Sequence, residues 1–233
     1  MQPQNQYQFG ATTAGGQVIT TDAQKVLRNT YMLLAMTLVF SAAMAGVSMA
    51  MRLPYSVSLI SSLAALALLW FVMPRTANSS AGIITVFAIT GLLGLGLGPT
   101  INHYLSFSNG PQIVMLALGI TGIAFAGLSG YALVSRRNFS FMRSFLAIGI
   151  LIAFVASIVT LVAALVGYAM PALSLTISVM FAFLMCGMIL WQTSEIIHGG
   201  ETNYILATIS LYVSILNLFT SLLQILGFSM GND

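Results

Sequence analysis

The run Asn203-Tyr-Ile-Leu-Ala-Thr-Ile-Ser-Leu-Tyr-Val-Ser-Ile-Leu-Asn-Leu-Phe-Thr-Ser-Leu-Leu-Gln-Ile-Leu-Gly-Phe228 carries no charged residue. A helix crossing about 30 Å of hydrocarbon needs roughly 20 mostly apolar residues, and this run exceeds that length. Within it, Asn203, Ala207, Ser210, Ser214, Asn217, Ser221 and Gln224 recur at alternating steps of four and three. That spacing lays all seven on one face of a helix. Lipid penalises a polar stripe, so the face must meet other helices or water. A tightly packed central helix satisfies this, and so does a stripe lining a hydrated path. Both place this segment in the middle of a bundle.

The rest of the chain agrees with a membrane interior. Of 233 residues, 58% are hydrophobic and only 5% are charged, against roughly 25% charged in an ordinary soluble domain. Mean hydropathy is +0.99. A soluble enzyme, a nucleic-acid binder and a disordered chain are excluded by this balance. The net charge is only +3, and no basic patch of groove size exists for nucleic acid.

Charges punctuate the chain. Residues 29–51, 53–74, 76–135, 144–194 and 202–232 contain no Asp, Glu, Lys or Arg. The first two intervals hold one span each, Tyr31–Met51 and Tyr55–Met73, broken by Pro54 and Pro74. The third holds two, Ala81–Leu105 and Gln112–Ser135, separated by a polar stretch from Asn102 to Pro111. The fourth holds Ser144–Tyr168 and Ala172–Ile197, with Gly167 and Pro171 at the turn, and the last holds Asn203–Phe228. Seven spans result, joined by short loops. Strand alternation is absent, and the runs are too long for barrel strands.

Residues 1–24 are expected to form a disordered cytoplasmic tail, and 25–233 the seven-helix transmembrane domain. The stretch Met1–Thr21 is dominated by Gln, Asn, Thr and Gly, with no charge before Asp22. It has neither the basic start nor the apolar core of a signal peptide. With the N-terminus inside, Lys25, Arg28, Arg75, Arg136, Arg137 and Arg143 are cytoplasmic and only Arg52 is outside. This asymmetry predicts a cytoplasmic N-terminus and, after seven crossings, an outer C-terminus. Spans 1–3 and 4–6 then have opposite topology, as in an inverted repeat, although sequence similarity between them is too weak to establish one.

Few residues suggest chemistry. Cys186 is the only cysteine, so neither an intramolecular disulfide nor a cysteine metal site is expected. It reads as a small hydrophobe packed in its span. His103 and His198 fall on opposite sides of the membrane and cannot share a metal. No nucleophile with a base, and no carboxylate pair, lies within a span, so no enzyme, cofactor or metal site is expected. Gly91, Gly94, Gly96 and Gly98 sit inside an apolar span ahead of Pro99. They lack the strand and lysine of a phosphate loop. Close helix packing with a kink at Pro99 is one reading, and a broken helix offering carbonyls to an ion is the other. Glu195 and Glu201 read either as solvated loop charges or as an anionic mouth for cations.

The stretch from Gln192 to Ile205 (Gln-Thr-Ser-Glu-Ile-Ile-His-Gly-Gly-Glu-Thr-Asn-Tyr-Ile), continuing through Leu211–Phe219, resembles the Bax inhibitor-1 (TMBIM) family and its bacterial YccA-like branch. Lys25–Tyr31 and Gly94–Pro99 match as well, and the resemblance covers about Lys25 to Gly227. It implies an all-α integral membrane protein of the bacterial inner membrane. Helix 7 is then central within a six-helix surround. Two activities come with it. Some members are calcium leak channels gated by paired aspartates on helices 6 and 7, and the YccA-like branch modulates the membrane ATP-dependent protease FtsH. FtsH, with its associated membrane regulators, and Ca2+ are thus the implied partners besides the lipid bilayer. The gating positions match Gln192 and Ser214, which do not titrate, so the pH switch is expected to be missing. A cation path would then use Ser210, Asn217, Glu195 or Glu201, while Gly94, Gly98 and Pro99 keep a structural role.

Overall fold

The computed structural model describes residues 21–168 and 170–231, so the part of the expected tail at 1–20 lies outside the described residues. Seven long helices are present among the described residues: α1 (Thr21–Ala50), α2 (Tyr55–Thr76), α3 (Ala81–Leu105), α4 (Gly110–Ser135), α5 (Met142–Leu165), α6 (Pro171–Ile197) and α7 (Tyr204–Met230). Each is long and apolar enough to cross a bilayer. The described residues contain no strand, and the chain is an all-α integral membrane protein.

Two boundaries differ from those expected. Helix α1 starts at Thr21, ten residues before Tyr31, and so takes in the last four residues assigned to the tail. Charge keeps a segment out of hydrocarbon but does not stop a helix. Asp22 sits in the first turn, where the helix dipole favours an anion. Lys25 lies 3.7 Å from it, one turn on. Helix α2 runs past Pro74 to Thr76, because a π segment, Leu68–Val72, absorbs the lost hydrogen bond. Carbonyls there also accept from side chains: Arg75 Nη1 donates to Phe71 O, and Thr76 Oγ1 to Val72 O at 3.0 Å.

Helix α7 is the most buried of the seven and α5 the least. Helices α1, α3, α4 and α6 touch α7 directly, while α2 lies outside on α3 and α5 outside on α6. The other six thus surround α7 in two tiers. The two halves share a contact pattern: α1 and α2 both pack on α3, and α4 and α5 both pack on α6. That is the arrangement an inverted repeat of three helices would give. The outer faces of α2 and α5 carry exposed Leu63, Phe71, Phe145 and Leu151, suited to lipid.

The glycines of α3 are where it meets its neighbours. A Cβ at Gly91 would lie 2.8 Å from the Phe40 ring, one at Gly94 would strike the Ser41 carbonyl, and one at Gly98 the Ser48 side chain. A Cβ at Gly96 would lie 2.6 Å from Ser61 Oγ on α2. Absence of side chains lets the backbones close. Helix α3 continues through Pro99. Proline has no N–H for the carbonyl four residues back, and Ser48 Oγ supplies the missing donor to Leu95 O at 2.8 Å.

Candidate functional site

The α6–α7 connection explains why Gly-Gly-Glu-Thr-Asn occurs there. Gly199, at φ 74°, makes the left-handed turn after α6. Gly200 N–H then donates to Glu195 O at 2.8 Å, and a Cβ on Gly200 would collide with the Glu195 side chain. Glu201 Oε1 accepts from Asn203 N at 2.8 Å. Asn203 Oδ1 caps α7 by accepting from Ile205 N and Leu206 N at 2.9 and 3.3 Å. Its amide nitrogen reaches Ala77 O and Asn78 Oδ1, both at 2.9 Å. One asparagine thus ties the start of α7 to the turn that follows α2.

The same end holds α4 and α6 in place. Ser194 Oγ donates to Arg137 O at 3.1 Å and accepts from Phe139 N at 3.1 Å. His198 bridges Ser194 O at 2.8 Å and Arg136 O at 3.2 Å through its two ring nitrogens. Deeper, Ser129 and Thr193 hydroxyls meet at 3.3 Å.

Inside the bilayer, the α7 stripe divides with a period of seven. Ala207, Ser214 and Ser221 are buried, Asn217 and Gln224 half-buried, and Ser210 exposed. Ser214 Oγ donates to Gln192 Oε1 at 3.2 Å, so the paired-carboxylate positions are in contact. Both residues are buried. Nearer the opposite end, Ser178 Oγ donates to Gln224 Oε1 at 2.6 Å. Two serine–glutamine bonds therefore join the antiparallel α6 and α7, each helix giving one of each residue. Asn217 Nδ2 turns back to Val213 O of its own helix, at 2.8 Å.

Glu195 and Glu201 are half-buried and locally engaged. Glu195 Oε1 accepts from Trp191 Nε1 at 3.1 Å, and Arg143 lies 6.0 Å over the Trp191 ring. Among the described residues, neither carboxylate hydrogen-bonds to Gln192 or Ser214. His103 packs edge-on against Tyr104 and Phe107 at the far end of the bundle from His198. Cys186 is half-buried and packs against the core cluster.

Two features escaped the sequence reading. Tyr212, fully buried on α7, shares a 2.5 Å hydrogen bond with Ser41 Oγ of α1 and donates to Thr90 O of α3 at 3.3 Å. A buried phenol needs such partners, and a tyrosine in mid-span is itself a signal. The second is a cavity of about 1200 Å³ at the end opposite the α6–α7 loop. It is bounded by the end of α1, the start of α2, the last turns of α3, and Thr220 and Gln224 of α7.

Comparisons with known sequences fit this architecture. The family described as "Inhibitor of apoptosis-promoting Bax1" matches residues 23–232. The "Modulator of FtsH protease YccA" of Escherichia coli K12 is 47% identical over 205 residues, 88% of this chain and 90% of that one. A membrane protein of Vibrio cholerae is 49% identical over 214 residues, 92% and 94% of the two chains. A Pseudomonas aeruginosa protein is 45% identical over 230 residues, 99% of each chain.

Proposed function

This chain belongs to the Bax inhibitor-1 family, and on that footing we propose that it modulates an FtsH-type membrane protease. The observation that carries the reading is its 47% identity to the E. coli modulator of FtsH across 88% of the chain. The proposed site is the bacterial inner membrane, with the N-terminus in the cytoplasm and the C-terminus in the periplasm. Six of seven basic residues at one end support that orientation.

The proposed mechanism is competition by a substrate that yields slowly. The polar stretch ahead of Asp22 is the handle at which an ATP-driven protease begins to pull. Force applied there reaches α1 first. That helix lies along the glycines of α3 and is fastened to α7 through Ser41 and Tyr212. Stripping it away would part the bundle at its closest contact, so the protease would be held while other substrates wait. The leak-channel alternative has less support, since Gln192 and Ser214 form a neutral pair and a cation path would depend on Glu195 or Glu201.

The test is lifetime in cells containing FtsH. Deleting residues 2–20 should leave the protein folded and lengthen its half-life, with co-purification of FtsH retained by the full chain. An unchanged half-life rejects the handle, and failure of FtsH to co-purify or cross-link with the full chain rejects modulation by contact.

A further inference from the structure

The outer-end cavity has a chemistry that protease modulation leaves unused. Its lining is rich in hydrogen-bond donors and includes no carboxylate. Arg52 is the only charged side chain at this end among the described residues, because Asp22, Glu195 and Glu201 all belong to the other. The ion pair among the described residues is Asp22–Lys25, so the guanidinium of Arg52 pairs with no described carboxylate.

Backbone geometry places Arg52 at the rim of the cavity. Arg52 ends α1 in the left-handed region, at φ 50°, an uncommon place for a residue other than glycine. Its N–H donates to Met49 O at 3.1 Å, and Leu53 N–H to Ser48 O at 3.2 Å. Asn102 holds the same helix end by donating to Met49 O at 3.2 Å. Deeper in the cavity, Gln224 uses its carbonyl oxygen for Ser178, which leaves its NH2 group to donate. Thr100 and Tyr55 add hydroxyls, while Leu53, Pro99 and Leu105 make apolar wall. The volume, about 1200 Å³, exceeds what a bare inorganic anion needs and suits a polar headgroup with attached methylenes.

We propose that this cavity binds a phosphate-bearing anion, with Arg52 as its charge partner and Gln224 and Thr100 as inner donors. A guanidinium offers paired donors to phosphate, and a partly apolar rim strengthens the attraction. The phosphate can belong to an anionic lipid headgroup or to a free anion, and the two are separable.

The experiment follows thermal unfolding of the detergent-purified full chain, titrated at constant ionic strength. Dihexanoylphosphatidylglycerol, dihexanoylphosphatidylcholine and inorganic phosphate are the probes. Binding to the native state raises Tm saturably. Arg52→Asn removes the charge while keeping a side chain that tolerates positive φ, and Arg52→Lys retains the charge. Each variant is compared with its own ligand-free Tm, so altered basal stability does not confuse the result. The expected outcome is saturable stabilisation by the phosphatidylglycerol. Its midpoint should weaken about tenfold in Arg52→Asn, by less in Arg52→Lys, and not in Arg137→Gln at the opposite end. Saturation by inorganic phosphate with the same dependence on Arg52 would identify a free anion, and saturation by the phosphatidylglycerol alone a lipid. Equal responses in the unmodified protein and Arg52→Asn would overturn the proposal. So would equal responses to the two lipids with none to phosphate.

Discussion

Glycine does opposite things in α3 and α4. In α3, a Cβ at any of Gly91, Gly94, Gly96 or Gly98 would meet a neighbouring helix within 3.0 Å. In α4, a Cβ at Gly119, Gly122, Gly127 or Gly130 would meet nothing within 4 Å. The difference comes from what surrounds each helix. Helix α3 is enclosed by α1, α2 and α7, whereas α4 has no contact with α5 and leaves part of its surface to lipid. The second half instead closes through side chains: Leu184 against Gly149, Leu146 against Gly187, and the hydroxyl and amide pairs of α6 with α4 and α7. A run of glycines therefore reports close packing only where neighbours occupy both sides.

The largest effect should follow from filling the α3 contact. Gly94→Val would drive a branched side chain into the Ser41 carbonyl, a backbone atom that cannot rotate away. Overpacking of this kind costs about 1–3 kcal/mol or more. The variant should lose most of its monodisperse peak in fluorescence-detected size exclusion, and a normal peak with unchanged Tm would refute the contact.

An intermediate effect is expected at the α6–α7 seam. Gln192→Leu removes the inter-helix acceptor for Ser214, whose hydroxyl keeps Ser210 O of its own helix at 3.0 Å, so the cost should be at most about 1 kcal/mol by analogy with other intramembrane hydrogen bonds. A double-mutant cycle with Ser214→Ala should recover most of that as coupling. The unmodified pair cannot change charge, so it adds no slope to stability against pH. Introducing Gln192→Asp with Ser214→Asp should add one. Crowded carboxylates raise a folded-state pKa above its unfolded value. Stability is then highest when both are protonated and falls as pH rises through the raised value, by about 1.4 kcal/mol per unit of upward shift. Tm of the double variant should drop relative to the unmodified protein between pH 5 and 8; parallel curves would mean that the two positions part in solution.

The smallest effect is reserved for α4. Gly122→Ala adds a methyl where nothing lies within 4 Å. Its change in Tm should be near zero or slightly positive, within about 1 kcal/mol, as helix propensity favours alanine. A marked loss would reveal a partner on that face, such as a second copy of the chain.

Much of this architecture could be read from residue order. Charge intervals define the seven crossings because bilayer thickness and charge exclusion act locally. The four-and-three spacing around Ser214 places α7 inside because helical period converts sequence into a face. Local rules also account for the Asn203 cap. What escaped depends on distant pairing. The Ser41–Tyr212 bond joins residues separated by 171 positions, and the cavity opposite the α6–α7 loop exists only once α1, α3 and α7 converge. The onset of α1 at Thr21 was hidden because charge marks the edge of hydrocarbon, not the end of a helix. The Gln192–Ser214 contact was anticipated only as a possibility of the matched positions; no local pattern specifies it.

The hydroxyl of Ser48 on Leu95 O has a consequence for biogenesis. An unsatisfied carbonyl in hydrocarbon is costly, so α3 cannot rest comfortably in lipid by itself. Helix α1 is synthesised earlier and is already in the membrane when α3 emerges. The two can dock as α3 leaves the insertion machinery, with Ser48 covering the gap that Pro99 opens. The order of synthesis thereby shields a defect that would be exposed if α3 were inserted first.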